Sequence, residues 1–328
     1  MKTLAVVGAS GLVGESFLQI LANKNLNVNV RLFGNASVGR KVELFSRRIK
    51  IEPCEALKEG KIDYAVFVAN EDVAKEYVPS LVQNGTVCID NSSYFRLKKD
   101  VPLAVTSING DTIKNSKIIA NPNCSTIQTV IAVNALKSLE PVKLTAVTYQ
   151  SVSGAGREGL NDLEKKRGYG ELKCFAHPIA NNLIPYIGRQ QQAQGLTSEE
   201  RKLVYESRKI LNLPRLKVNA FCCRVPVTRG HGVFVNLTCK KKIDVNEVKK
   251  MLALTDNVIV IDGDNTYPMP INIANTKYVG VGRITRDPTN AHGVNMFVVA
   301  DNLLRGAAYN AYEILEYVMR LEEDNRHE

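Results

Sequence analysis

The sequence predicts an α/β protein of two domains: a parallel sheet interleaved with helices, then an α+β domain with a mostly antiparallel sheet. Three observations carry that expectation. A buried-strand pattern at residues 3–7 runs directly into a glycine-rich turn and a helical pattern. Strand-like and helical runs then alternate up to residue 126, as a parallel sheet requires. From residue 221 strand-like runs dominate, and a long amphipathic helix closes the chain. A length of 328 residues suits about two domains.

Taken in order, Gly8, Gly11 and Gly14 follow the first strand at G-x-x-G-x-x-G spacing, with Phe17, Leu18, Ile20 and Leu21 at helical spacing behind them. Gly8 permits the turn, Gly11 lets a pyrophosphate approach the backbone, and Gly14 lets the helix pack closely. This is a variant of the dinucleotide fingerprint of a Rossmann-type domain; a tight turn without ligand is the other reading. Residues 28–33 form a second strand. The loop after it, residues 34–41, holds no carboxylate but carries Ser37, Arg40 and Lys41. That favours a ribose 2′-phosphate, hence NADP(H), over an ordinary polar turn. Residues 64–69, 86–90 and 103–106 read as further strands, with a helical pattern at 73–81. Arg96, in the polar loop 90–96, is either a phosphate clamp or a surface arginine.

A strand-like run at 117–120 delivers the chain to Asn121-Pro122-Asn123-Cys124, and a helical pattern begins at Thr126. Cys124 therefore sits at a helix start, where unpaired N–H groups and the dipole favour a thiolate. It is either a nucleophile or a small buried hydrophobe. A strand at 143–152 enters a small-residue turn at 150–156. Residues 157–215 are charged and broken, with a helix at 198–211. Strands follow at 221–227, 233–240, 258–262, 278–284 and 294–300, then a helix at 303–321. One strand ends in Arg229-Gly230-His231-Gly232. Flanked by flexible backbone rather than buried on an apolar face, His231 is the best general base among four histidines; a loop histidine bonded to backbone is the alternative. A thiolate, a histidine and a dinucleotide site suggest aldehyde chemistry through a thiohemiacetal.

No apolar run reaches 18 residues, and no basic, apolar and cleavable leader precedes the first strand, so the expectation is a cytoplasmic protein without membrane partner. Seven cysteines without a C-x-x-C pair indicate neither a disulfide framework nor a metal site. The net charge of +10 sits in short groups such as Lys165-Lys166-Arg167 and Lys240-Lys241-Lys242. These read mostly as solvated surface; the excess attracts small anions, and no long basic tract points to nucleic acid.

Over essentially its whole length the chain resembles the aspartate-semialdehyde dehydrogenases. The matching segments are 8–14, 90–96, 121–126, 149–156, 199–202 with 206–211, 224–231, 279–283, Asp301-Asn302 and 306–308. The resemblance implies NADPH-dependent reductive dephosphorylation of L-4-aspartyl phosphate to the semialdehyde, in lysine, threonine and methionine biosynthesis and the diaminopimelate branch. Cys124 would carry the thioester, and His231 would protonate the collapsing thiohemiacetal. Arg224, Gln150 and Glu199 would bind substrate; Arg96, Asn123 and Lys202 would hold phosphate. Gly8, Ser10, Gly11, Leu12, Val13, Gly14, Ser37, Arg40, Ser153, Gly154 and Asn302 would serve NADP(H). The implied domains are 1–126 with 302–328 for the nucleotide, and 127–301 for catalysis and homodimerisation. Three departures stand out: a shorter loop at 34–41, Ala69-Asn70 in place of the family's Gly-Gly, and Ser107 in place of its Glu. The rivals are an N-acetyl-γ-glutamyl-phosphate reductase and a non-catalytic nucleotide sensor.

Overall fold

The computed structural model describes residues 1–24, 26–165, 171–190 and 195–327. Lys166 and Arg167 of the basic group lie outside them. The chain forms two compact units, Met1–Pro122 with Ala307–Glu328, and Asn123–Gly306. The chain changes unit at 122/123 and 306/307, against the 126/127 and 301/302 expected. Cys124 and the helix it opens thus belong wholly to the second unit.

In the first unit the strands are β1 (Lys2–Val7), β2 (Val28–Phe33), β3 (Lys41–Leu44), β4 (Arg47–Glu52), β5 (Tyr64–Phe67), β6 (Val87–Asp90) and β7 (Ile118–Ala120). The helices are α1 (Leu12–Lys24), α2 (Glu71–Gln83) and α3 (Thr106–Asn109). The sheet runs β3-β4-β2-β1-β5-β6-β7 and is parallel apart from the β3–β4 hairpin. Every residue of β5 and β6 is buried. Burial on both faces is why these strands read as continuous apolar runs.

Two expectations are corrected here. The β3–β4 hairpin was not expected; its turn residues Phe45 and Ser46 take φ of 52° and 58° without the Asn-Gly signal such turns usually show. Residues 103–106 do not form a strand. Asn109 accepts from the Val105 N–H at 2.9 Å and donates to the Leu103 carbonyl at 2.9 Å. That side chain diverts the ladder bonds, leaving a single bridge from Leu103 to Ala120 before α3 begins.

The second unit holds α4 (Cys124–Ala135), β8 (Pro141–Gln150), α5 (Gly156–Glu164), α6 (Ser198–Leu211), β9 (Lys217–Arg224) and β10 (His231–Cys239). It continues with α7 (Val245–Ala253), β11 (Val258–Val260), α8 (Pro270–Ile273), β12 (Val279–Arg286) and β13 (Gly293–Ala300). Its sheet runs β11-β12-β13-β10-β8-β9. The three central pairings are antiparallel and the two outer ones parallel, so the sheet is mixed. α4 and α7 cover one face. On the other face, cross-strand register lines up Phe221, Val147, Phe234 and Phe297 in one row. All four remain partly or largely exposed.

The last helix is not continuous from 303. A π-helical turn, Leu304–Ala308, precedes α9 (Tyr309–His327). Gly306 lies in that turn, where a side chain would begin 2.9 Å from the Cys124 Cβ. Wide turns of this kind recur at functional sites.

Candidate active site

In the first unit the glycine turn has the form a pyrophosphate needs. Gly8 takes φ of +90°, and a Cβ there would meet the Val68 carbonyl oxygen at 2.7 Å. A Cβ on Gly14 would meet the Gly8 carbonyl oxygen at 2.3 Å, so α1 packs onto the turn only because that residue is glycine. Gly11 meets nothing closer than 3.3 Å, which leaves its backbone approachable. Leu12 and Val13 open α1. Ser10 Oγ lies 2.8 Å from Ser37 Oγ, tying the turn to the loop after β2. Arg40, 57% exposed at its side chain, sits 3.6 Å from Glu15 of α1. Asn70 caps α2 by accepting from the Val73 N–H at 3.2 Å. Arg96 is buried and donates to the Asn91 carbonyl at 2.7 Å.

In the second unit two carboxylates, Glu199 and Glu206, organise the cap of the reactive-cysteine candidate. Asn123 is the N-cap of α4: its Oδ1 accepts from the Ser125 N–H at 3.0 Å. Its Nδ2 donates to Glu199 Oε1 at 2.9 Å, and its backbone N–H donates to Glu206 Oε2 at 2.7 Å. Gln150 Nε2 donates to the same Glu199 oxygen at 3.1 Å, and Lys202 Nζ lies 3.0 Å from Oε2. Burial pushes the Glu199 carboxyl up, but the Lys202 ammonium and the bonds from Asn123, Lys202 and Gln150 outweigh it, bringing its pKa to about 2. One ionised side chain therefore holds the cap of the cysteine helix, a glutamine and a lysine. Cys124 itself is half-buried. Burial pushes the other six thiols up.

Arg224 ends β9, buried, with Nη1 donating to the Ser151 carbonyl at 2.7 Å and Nε without a partner. Burial lowers its pKa, while Glu199 and Cys124 raise it. A cleft of about 450 Å³ opens against it, lined also by Phe175, Ile184 and Tyr186. Gly154 is pressed between Arg224 and His231; a Cβ there would lie 2.9 Å from Nη1 and 3.2 Å from the imidazole Nε2.

His231 differs from its expected setting. It is not on a flexible loop but opens β10, wholly buried. Gly230, at φ of +92°, makes the turn before it, and the Phe297 ring lies over Gly232 behind it. Burial first, then the Arg224 charge, pull its pKa down to about 3, with Glu199 opposing. Nδ1 accepts from the Ser151 N–H at 3.0 Å, and Nε2 has no partner.

Three residues were not singled out from sequence. Glu206 shares the cap of α4. Gln128, one helical turn after Cys124, donates to the His231 and Val298 carbonyls at 3.0 and 3.1 Å. Ser151 contacts the imidazole. Glu206 and Ser151 fall within matching segments, but only the folded chain shows what they touch. Asn302 was expected to meet the cofactor; its side chain accepts from the Gly230 N–H at 2.9 Å and donates to Ser153 Oγ at 3.0 Å.

Residues 3–116 match the semialdehyde dehydrogenase NAD binding domain, and residues 134–305 match the semialdehyde dehydrogenase dimerisation domain. An aspartate-semialdehyde dehydrogenase of Aquifex aeolicus is 38% identical, with 97% of this chain and 98% of that protein covered. The crystal structure of aspartate semialdehyde dehydrogenase II of Vibrio cholerae complexed with ASA superposes with a TM-score of 0.93 at 34% identity, covering 98% of each chain. An aspartate semialdehyde dehydrogenase with NADP from Candida albicans gives 0.76 at 25%, covering 97% of this chain and 98% of that one. A cysteine helix capped from a buried carboxylate thus occurs in a chain matched end to end by such enzymes, and the protein belongs to the aspartate-semialdehyde dehydrogenase family.

Proposed function

We propose that the protein catalyses the NADP(H)-dependent, reversible conversion of L-4-aspartyl phosphate to L-aspartate 4-semialdehyde and phosphate. The observation that carries this reading is the Glu199 cluster: it fixes the cap of the Cys124 helix and, through Lys202 and Gln150, sets a cation and an amide beside a buried arginine. Arg224 offers a planar fork for the substrate carboxylate, with Gln150 and Glu199 as its neighbours. Lys202, Asn123 and Arg96 are the proposed phosphate-holding groups. Cys124 Sγ attacks the acyl carbon; the C–S bond forms, the C–OP bond breaks and phosphate leaves. The α4 N-terminus supports the sulfur as thiolate. NADP(H), when bound, supplies the hydride that reduces the thioester. Sγ then departs with its electron pair as the aldehyde forms, and His231 serves the reacting oxygen.

The glycine turn fits a dinucleotide, because side chains at Gly8 and Gly14 would close it. Ser10, Gly11, Leu12, Val13, Ser37 and Arg40 are the proposed contacts in the first unit, with Ser153, Gly154 and Asn302 proposed in the second. The first unit is the proposed nucleotide domain and the second the catalytic one. The apolar row on the open sheet face suits a homodimer of the second unit, which the matched dimerisation domain supports. A cytoplasmic setting suits seven cysteines none of which is joined in a disulfide. No helix among the described residues is long and apolar enough to cross a membrane.

Assaying aspartyl phosphate and N-acetylglutamyl phosphate with NADPH and NADH tests the reading. Turnover of the first with NADPH, reduced by at least about a thousandfold in Cys124→Ala, is expected for loss of a nucleophile. Preference for the second substrate, or full activity without Cys124, overturns it.

A further inference from the structure

We infer that Phe175 limits the length of the acyl chain that the site accepts, and that the buried carboxylate of Asp162 is the positioning group that holds it there. The inference rests on the function proposed above, in which Arg224 binds the substrate carboxylate.

Phe175 belongs to no helix or strand. What fixes it is Asp162 on α5, whose side chain is wholly buried. Its Oδ2 accepts from the backbone N–H of Cys174 at 2.8 Å and of Phe175 at 3.2 Å. The Lys173 N–H lies 3.2 Å from both carboxylate oxygens, and Lys165 Nζ lies 3.1 Å from Oδ1. Burial pushes the Asp162 carboxyl up, but the N–H groups of Cys174, Lys173 and Phe175 and the Lys165 ammonium outweigh it and bring its pKa to about 2. Three consecutive N–H groups converging on one carboxylate give the segment 173–175 a single seat on α5. Leaving that seat would strand a buried charge, which is costly.

The seat aims the ring. Phe175 packs against α5 at Gly159, where a Cβ would lie 3.4 Å from the ring Cζ and 2.5 Å from the Val152 carbonyl oxygen. From there the ring meets Arg224, whose guanidinium carbon lies 5.8 Å from the ring centroid. The guanidinium is itself tethered, because Nη1 donates to the Ser151 carbonyl at 2.7 Å. Ile184 exchanges both backbone hydrogen bonds with Arg224, at 3.0 and 2.8 Å. Ring, guanidinium and Ile184 line one cleft, and each is fixed by bonds that no substrate supplies.

A tethered guanidinium acts as a ruler. With the substrate carboxylate on Arg224 and the acyl carbon at Cys124 Sγ, the chain between them has a set span. A chain one methylene longer must bow, and beside Arg224 the cleft is occupied by the Phe175 ring. A methylene more or less against an apolar wall changes kcat/KM by about 10–200-fold. The rejected class is therefore the five-carbon homologue of the substrate.

The test follows oxidation of L-aspartate 4-semialdehyde and of L-glutamate 5-semialdehyde by the full-length protein with NADP⁺ and phosphate. The longer aldehyde cyclises in water, but to the same extent with every variant, so its cyclisation cancels when variants are compared. Wild type should favour the shorter aldehyde by at least about a hundredfold in kcat/KM, and Phe175→Ala should shrink that preference at least about tenfold. Asp162→Asn keeps an acceptor but loses the charge. It should shrink the preference in the same direction, by about threefold or more, and raise the KM of the shorter aldehyde with kcat within about twofold of wild type. A merely structural role would lower activity toward both aldehydes alike and leave their ratio unmoved. Normal oxidation of the shorter aldehyde with an unchanged ratio in Phe175→Ala overturns the inference. A ratio that moves in Phe175→Ala but not in Asp162→Asn overturns the positioning role of Asp162. No oxidation of aspartate semialdehyde by wild type would overturn the proposed function itself, and this inference with it.

Discussion

His231 is a histidine that the fold refuses to charge. Its pKa falls to about 3 from the 6.5 of a free imidazole. Between those values the unfolded chain binds a proton that the folded chain does not, so stability drops as pH falls below 6.5. Glu199, at about 2 against an ordinary 4.5, adds a loss of the same sign below pH 4.5. The denaturation midpoint should therefore begin to fall below pH 6.5, and His231→Gln should flatten the part between 6.5 and 4.5. An identical profile in the variant would contradict a buried neutral ring. Arg40 poses a different question, because it is exposed and only loosely paired with Glu15. A solvated charge contributes little, about 0–1 kcal/mol. Arg40→Ala should lower the NADPH-over-NADH ratio in kcat/KM by about fivefold or less, leaving kcat at saturation unchanged. A wild-type preference for NADH would show that Ser37 and Arg40 do not meet a 2′-phosphate. The sequence placed Cys124 at a helix start because its signal is local. It misjudged the burial of His231 because that depends on Gly154 and Ser151, 77 and 80 residues away in the chain.

Elements were legible where their pattern is their own. β2 and α6 run as expected, since burial on fixed faces and the Thr197–Glu200 capping box are written in consecutive residues. The hairpin β3–β4 and the lost strand at 103–106 were not, since Phe45, Ser46 and the reach of Asn109 decide them. The glycine turn gives a direct test of an element boundary. Gly14→Ala would place a methyl 2.3 Å from the Gly8 oxygen and 2.8 Å from the Ala9 oxygen, both backbone. α1 must lift away. We expect about 1–3 kcal/mol of destabilisation, as for overpacked cores. The KM for NADPH should rise about tenfold, with kcat kept at saturation. Unaltered cofactor KM in a variant with a lowered Tm would mean that the turn does not carry the nucleotide.

At the scale of the molecule, the second unit's sheet has one covered face and one open face. Phe221 is 48% exposed and Tyr149 37%, beside the half-buried Val147, Phe234 and Phe297. A contiguous apolar row across four strands marks an interface. Phe234→Asp should shift the protein from dimer to monomer at micromolar concentration in sedimentation, with secondary structure retained by circular dichroism. A variant that stays dimeric would place the interface elsewhere. The mixed sheet could not be read in full from sequence, because parallel outer strands have the same alternation as antiparallel ones; only the pairing of β9 with β8 and β11 with β12 distinguishes them.

The crowding of His231 and Arg224 around Gly154 also sets a rule for inhibitors. His231 Nε2 and the Arg224 guanidinium flank Gly154, and the guanidinium offers a visiting molecule donors only. A compound that brings a lone pair between them, such as a sulfoxide, a phosphonate or a hydrated carbonyl, finds partners already in place. Its shape-matched counterpart bearing an amine or an amide N–H meets hydrogens it cannot displace. Paired libraries differing by that one exchange would show the pocket sorting molecules by lone pairs before it sorts them by size.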